Sequence, residues 1–395
     1  MRTQLAIILL GRTVLNMPSR LVYPFLPAIA RGLGVSLPLA TQVVSLRVAA
    51  GLTAPLLGPL SDRFGRRRIM EFGLVLFALA GMALAGLGSW HLTGSGTIAA
   101  AAVAFVLYGL AKAVYDPAVL AYLGDSVPYA QRARAIGLSE MSWSAAWLLG
   151  VPATGFLMER LGWRAPWTVL VLLGALGAGL TRLGLPAARR PAELWQGRQL
   201  VSSVLRTWGS LLRRRKVVVV LTTTLLLMAA VEVPFIVYGV WLETTFGLSL
   251  SALGLASIVV GLAEAAGELG TTVFTDRLGK RRSVLLGLIG LTVSLFLLPW
   301  MARLGLVPAL VGVVLMMLTF EFALVSFLPL VSEVAPDARG ALLSFNFTAA
   351  SVGRLGAALV SSWLWRWQSI ALQAWVGGVL ALIAAMALAL GMREY

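Results

Sequence analysis

Apolar residues run through this chain in long blocks, each closed by a short cluster of arginine, acidic, glycine or proline residues. Neither the alternation of a half-buried strand nor the one-sided stripe of a surface helix fits them; blocks this long and uniform are the pattern of helices that cross a bilayer. Hydropathy windows of ~19 residues predict twelve such helices, at roughly 4–31, 38–60, 70–90, 97–123, 137–158, 164–185, 217–241, 250–274, 283–303, 307–332, 340–363 and 369–391. A crossing needs ~20 residues, so twelve leave short connections and one longer stretch, 186–216. Arg12 interrupts the first block and no small-residue cleavage site follows, so this block is expected to persist as a span.

Composition narrows the function. Apolar residues make up 59% and charged residues 12% of the chain, against roughly 45–50% and ~25% in soluble domains. The net charge of +16 therefore points to a lipid surface rather than to nucleic acid. No cysteine and a single histidine, His91, exclude disulfides and thiolate chemistry and leave little for zinc or triad catalysis. No cofactor is expected, and with no nucleotide loop or extramembrane domain the chain is not expected to be an enzyme; a membrane-embedded enzyme or sensor is a remote alternative. The side that holds both termini carries 22 of the 32 Lys and Arg residues, the opposite side only Arg31, Arg160, Arg164, Arg303 and Arg366. By the positive-inside rule both termini are expected to be cytoplasmic, in a multi-pass protein of the inner (plasma) membrane, with a monomer as the expected state.

A repeat divides the chain. Gly58 to Met70 reads GPLSDRFGRRRIM and Thr272 to Val284 reads TVFTDRLGKRRSV; Asp62, Arg63, Gly65, Arg67 and Arg68 recur as Asp276, Arg277, Gly279, Arg281 and Arg282. A weaker echo links Val127–Ala135 to Val334–Leu342. The fold expected is thus an all-α membrane protein of twelve transmembrane helices in two pseudo-symmetric six-helix bundles, 1–185 and 217–395, with a transport site near the midplane where the repeats meet. The linker 186–216 holds eight basic residues and one acid. Leu200, Val204, Trp208 and Leu211 recur in it at helical spacing, so it reads either as an amphipathic helix on the inner leaflet or as a solvated basic tether.

On these residues the chain resembles the major facilitator superfamily along essentially its whole length. The family's loop motif is matched by Gly58, Leu60, Asp62, Arg63, Gly65, Arg66, Arg67 and Met70, and the segment Gly150 to Gly155 is similar to its antiporter motif with the proline displaced by one. Phe105 stands where the family usually carries a fourth-span arginine. The loop makes physical sense as a gate: Gly58 and Gly65 permit a sharp turn, Asp62 and Asp276 can cap helices, and Arg63, Arg66 and Arg277 can reach acids such as Asp125 and Glu140.

Ionisable residues within spans carry the mechanism, because an unpartnered charge at mid-bilayer costs at least about 2.5 kcal/mol. The first half holds Arg20, Arg47, Lys112 and Asp116, the second Glu232, Glu264, Glu268, Glu321 and Arg354. Helical spacing groups Arg12, Asn16, Ser19, Arg20 and Tyr23 on one face, Tyr108, Lys112, Tyr115 and Asp116 on another, and Ser257, Gly261, Glu264 and Glu268 on a third. The resemblance implies that the first, fourth, seventh and tenth spans line the central cavity, and so Arg20, Lys112, Asp116, Glu232 and Glu321. Candidate substrate contacts are Arg20, Tyr23, Arg47, Lys112, Tyr115 and Trp143; candidate proton carriers are Asp116, Glu232, Glu264, Glu268 and Glu321. Each charge has a second reading as a structural pair, Lys112 with Asp116 or Arg354 with Glu264 or Glu268. Trp143 and Trp147 read as an aromatic wall or as helix packing. The expected function is proton-coupled transport by alternating access, exporting amphipathic small molecules. The alternative substrate class is organic anions, including anionic lipid-like compounds.

Overall fold

Among the described residues the long helices and the shorter pieces that continue them group into twelve segments between Arg2 and Gly391, and no strand occurs. The computed structural model describes residues 2–57, 60–88, 94–186 and 209–392. The first six segments are α1 (Arg2–Leu33), α2 (Leu37–Gly51, continued by Ala54–Leu57), α3 (Arg66–Ala85), α4 (Ser95–Ser126), α5 (Tyr129–Glu140 and Val151–Leu161, joined by Ser142–Ala145 and a π turn at Ala146–Gly150) and α6 (Ala165–Gly184). The second six are α7 (Arg215–Phe235 with Tyr238–Phe246), α8 (Leu250–Ala256 with Ile258–Leu278), α9 (Lys280–Arg303), α10 (Leu306–Val334), α11 (Arg339–Leu364) and α12 (Ile370–Gly391).

Among the described residues nine helices are long and apolar enough to cross a membrane. The other three spans are α2, α5 and α11, and each has a local cause. Pro55 cannot donate to the Gly51 carbonyl, and α2 breaks there. Pro152 likewise cannot bond the Leu148 carbonyl, and the π turn before it lets the Val151 N–H reach back to Ala146 instead. In α11, Asn346 and Arg354 dilute the apolar run.

Two compact units result: Met1–Gln196 with Leu248–Ser257, and Gly197–Gly247 with Ile258–Tyr395. In the first, α4 packs on α2 and α3, and α3 on α6; in the second, α10 packs on α9, while α7 packs on α11 and α12. Missing side chains set the closest approaches. A Cβ on Gly109 of α4 would lie 2.2 Å from the Arg47 carbonyl of α2. A Cβ on Gly377 of α12 would lie 2.4 Å from the carbonyl of Ala230, the one that Pro234 leaves without its helical donor. Outward-facing positions stay apolar, as in Leu149, Leu172, Trp300 and Leu390, which is the surface hydrocarbon requires.

Gly58, Pro59, His91 and linker residues 187–208, including Leu200, Val204 and Trp208, lie outside the described residues, as do the side chains of Asp62 and Asp276. Leu211 at the linker's end is fully buried.

Candidate functional site

Within the first unit a polar network ties α1, α4 and α5. Lys112 of α4 meets Asp116 one helical turn on, Nζ to Oδ2 at 2.7 Å, and donates to Oδ1 of Asn16 on α1 at 2.5 Å. Asn16, which has no exposed surface, passes the link to α5 by donating from Nδ2 to Ser142 Oγ at 3.0 Å. Arg12, one turn before Asn16, donates through Nη1 to Glu140 at 2.6 Å and to Ser139 at 2.9 Å, and its Nε lies 3.6 Å from Asp116 Oδ1. Two bases and two acids balance, so the network is electrically neutral as a group. Such balance is what makes four charges tolerable inside a bilayer.

Beside it lies a face of cations and aromatic rings. The Lys112 ammonium is 4.1 Å from the centre of the Trp143 ring, and the Arg20 guanidinium is 4.6 Å from the same ring and 5.2 Å from Trp147. Tyr23 stacks on Trp147 with centroids 6.4 Å apart, and Arg47 lies 5.8 Å from Tyr23 while donating to the Val44 carbonyl at 2.7 Å. Ring faces attract cations, so these bases are held apart from one another by indole and phenol surfaces. On this face Lys112, Arg20 and Trp143 are partly exposed, whereas Arg47, Tyr23 and Trp147 are buried.

Other candidates settle elsewhere. Tyr115 is fully buried, with its hydroxyl against Gly11 of α1 and its Cβ against Gly73 of α3. Phe105 packs edge-on to Trp167 in an aromatic cluster with Tyr108 and Phe77, so no charge occupies that level of α4. Glu140, the last residue of the Tyr129–Glu140 stretch of α5, receives Arg12 of α1. Arg66 does reach Asp125, Nε to Oδ2 at 3.4 Å, and bonds Ser61. Arg63 and Arg277 are exposed. Gly65 and Gly279 both take positive φ, 91° and 85°, immediately before α3 and α9, where other residues are strained.

The loop copies repeat in space as in sequence. Arg67 donates to the Leu185 carbonyl at 3.1 Å and Arg281 to the Ala389 carbonyl at 2.9 Å; Arg66 pairs with Asp125 as Lys280 pairs with Glu333. Arg214, at the entry to α7, forks onto Asp337 with bonds of 2.7 and 2.6 Å, which holds that carboxyl below its ordinary range. In the second unit Glu232, Glu264 and Glu321 are buried, and Glu268 is partly so. Gly267 lies between Glu264 and Glu268 along α8, and a Cβ there would lie 2.8 Å from the Glu321 Cβ, so α10 crosses α8 closely at Glu321. Where α1 and α5 are tied by charge, α7 and α11 are tied by a neutral bond, Thr224 to Asn346 at 2.5 Å.

At the far end of the first unit, Glu159 on α5 accepts the Ser251 backbone N–H at 2.6 Å, which depresses the Glu159 pKa, and so anchors the start of α8. Gly155 and Gly254 let these helices touch: a Cβ on Gly155 would be 2.4 Å from the Leu250 carbonyl. Sequence alone grouped Arg12 and Asn16 on the α1 face without a role; Ser139 and Ser142 carried no signal, since their partners lie 127 and 126 residues away.

Residues 8–358 and 221–394 match the family model described as Major Facilitator Superfamily. An uncharacterised transporter of this type from Bacillus subtilis, YwfA, is 27% identical over 342 residues, 86% of this chain and 80% of that protein. The lysophospholipid transporter LplT of Escherichia coli is 31% identical over 280 residues, 66% of this chain and 65% of that protein. A D-xylose–proton symporter structure superposes with a TM-score of 0.78 at 17% identity, covering 98% and 96% of the two chains, and a peptide transporter with a TM-score of 0.74 at 16% identity, covering 98% and 93%.

Proposed function

We propose that this chain, which belongs to the major facilitator superfamily, is a proton-coupled carrier of amphipathic, lipid-like compounds with an anionic headgroup. It is a membrane transporter and not an enzyme. The observation that supports the substrate class is the pair of cations, Lys112 and Arg20, on a single indole, Trp143, with Trp147 and Tyr23 beside it. An anionic group meets Lys112 and Arg20 there while its apolar part lies against Trp143, the partly exposed ring, which the buried Trp147 and Tyr23 back. The similarity to a lysophospholipid transporter supports the same reading. Of the two substrate classes open from sequence, amphipathic small molecules at large and organic anions including anionic lipid-like compounds, this face favours the second.

In this reading the carrier works by alternating access, with both termini in the cytoplasm and export as the direction, in keeping with the antiporter-like segment Gly150–Gly155. The acids Glu232, Glu264, Glu268 and Glu321, together with Asp116, carry the coupled proton. The two loops around Asp62–Arg66 and Asp276–Arg277 gate the cytoplasmic side, aided by the Arg66–Asp125 pair. Titration calorimetry of wild type and Lys112→Gln with a single-tailed anionic phospholipid and a lipophilic cation tests the substrate class. Binding of the anion, weakened tenfold or more in the variant, is expected; binding of the cation alone, or an anion affinity indifferent to Lys112, would overturn the proposal.

A further inference from the structure

Arg12 differs in geometry from the other cations of the network. It is almost fully buried and anchored by one nitrogen, Nη1, to Glu140 and Ser139. Its Nε–H faces Asp116 Oδ1 at 3.6 Å, too far for a hydrogen bond. Neither of these two buried atoms has a hydrogen-bond partner among the described residues. A donor and an acceptor therefore stand opposite each other, both desolvated, with their bond unmade. Closing the gap to the usual charge-assisted length needs a shift of roughly 0.8 Å.

Asp116 is meanwhile held by Lys112 through its other oxygen at 2.7 Å. Lys112 spends two of its three N–H groups on Asp116 and Asn16, with Trp143 beside the ammonium. We infer that Arg12 is the alternate partner of Asp116: when an anionic headgroup engages Lys112, the Asp116 carboxylate transfers to the Arg12 Nε–H. The inference rests on the anionic substrate proposed for this carrier. With the headgroup and Asp116 both on one ammonium, two negative charges crowd a single positive one. Moving Asp116 to Arg12 leaves the headgroup as the one anion on Lys112, while Arg12 takes its second acid through a separate N–H of its fork. A guanidinium carries five donors in a fixed fork, so Arg12 can hold Glu140 through Nη1 and Asp116 through Nε at once. An ammonium there has a single nitrogen and no planar fork, so it does not hold both acids at the separation that Nη1 and Nε bridge. Because Arg12 lies on α1 and Asp116 on α4, the exchange draws these helices together only when substrate is bound, which links occupancy to helix movement. Arg12 is thus a positioning residue: it acts on substrate through Asp116 and Lys112.

The test is a double-mutant cycle read by anion binding to the purified full chain, with the single-tailed anionic phospholipid as probe. Arg12→Lys keeps the charge and its contact with Glu140 but loses the second reach, so affinity is expected to fall at least tenfold. In an Asp116→Asn background, where no carboxylate competes for Lys112, the same substitution is expected to change affinity less than twofold. Asp116→Glu, which extends the carboxylate toward Arg12, is expected to raise affinity about threefold, a gain that a purely structural salt bridge does not predict. It keeps the test open if Arg12→Lys fails to fold. Equal losses from Arg12→Lys in both backgrounds, or no loss in wild type together with no gain from Asp116→Glu, would overturn the inference while leaving the substrate class intact. A wild type that binds no anion removes the substrate proposal itself, and the exchange with it.

Discussion

Asn16 separates charge from structure more sharply than any other position in the network. It has no exposed surface and joins Lys112 on α4 to Ser142 on α5. Asn16→Asp keeps the shape: one carboxylate oxygen still accepts from Lys112, and the Ser142 hydroxyl can turn to donate to the other. What changes is the charge beside the ammonium. A headgroup hydrogen-bonded to the far side of Lys112 would sit roughly 5 Å from the new carboxylate, where like charges repel by about 3 kcal/mol at an effective dielectric of about 20. Lys112 is partly exposed, so screening trims this, and a 10- to 100-fold loss of anion affinity, about 1.4 to 2.7 kcal/mol, is expected. The third acid also unbalances a group that was neutral, so part of the stability goes with the affinity. Asn16→Ala does the reverse: it leaves the charge balance alone but strips partners from Lys112 and Ser142, at about 1–3 kcal/mol for each buried group left unsatisfied. Melting temperature and calorimetric affinity for a single-tailed anionic phospholipid, measured on both variants, should therefore fall in different proportion, affinity more in Asn16→Asp and stability more in Asn16→Ala. Wild-type affinity in Asn16→Asp, or the same proportion of the two losses in both variants, would refute the reasoning.

Three further outcomes are expected. Glu232→Gln or Glu321→Gln should abolish transport driven by a pH gradient in proteoliposomes yet spare substrate exchange, since both acids are buried and exchange moves no net proton; full gradient-driven transport in both would exclude them as carriers. The Ser251 N–H depresses the Glu159 pKa, so the bond's contribution is complete above the ordinary carboxylate range and lost as pH falls through the lowered value. The melting difference between wild type and Glu159→Gln should accordingly be present at neutral pH and vanish in acid; a difference independent of pH counts against it. Gly109→Leu forces α4 away from the Arg47 carbonyl and should cost about 3 kcal/mol or prevent folding, whereas Gly124→Leu, with open space around its Cβ, should melt like wild type.

Hydropathy and repetition make much of this protein legible from its residues alone. A span must be apolar for the length of a bilayer and must satisfy its backbone internally, so helix, approximate boundaries and number follow from local composition. The loop from Gly58 to Met70 and its copy carry the family because a turn at positive φ before α3 and α9 requires Gly65 and Gly279, and such requirements are written in single residues. The candidate charges are visible too, since a buried ionisable group stands out against an apolar run.

Which charge meets which is not visible there. Lys112 and Asp116 are one turn apart and can be paired on paper, but Arg12 finds Glu140 and Ser139 across 128 and 127 residues, and only the approach of α1 to α5 brings them within reach. The placing of Tyr115 against Gly11 rather than among the cations is a matter of helix rotation, which spacing along one helix leaves undefined. The π turn before Pro152 carries Trp147, and Trp143 lies just before it; a one-residue widening there changes the direction of every side chain that follows. Local sequence set the helices and the inventory of charges, because those depend on solvation of each segment by itself. Tertiary packing decided the pairing, because in a low-dielectric interior a charge takes whichever partner the helix crossing delivers.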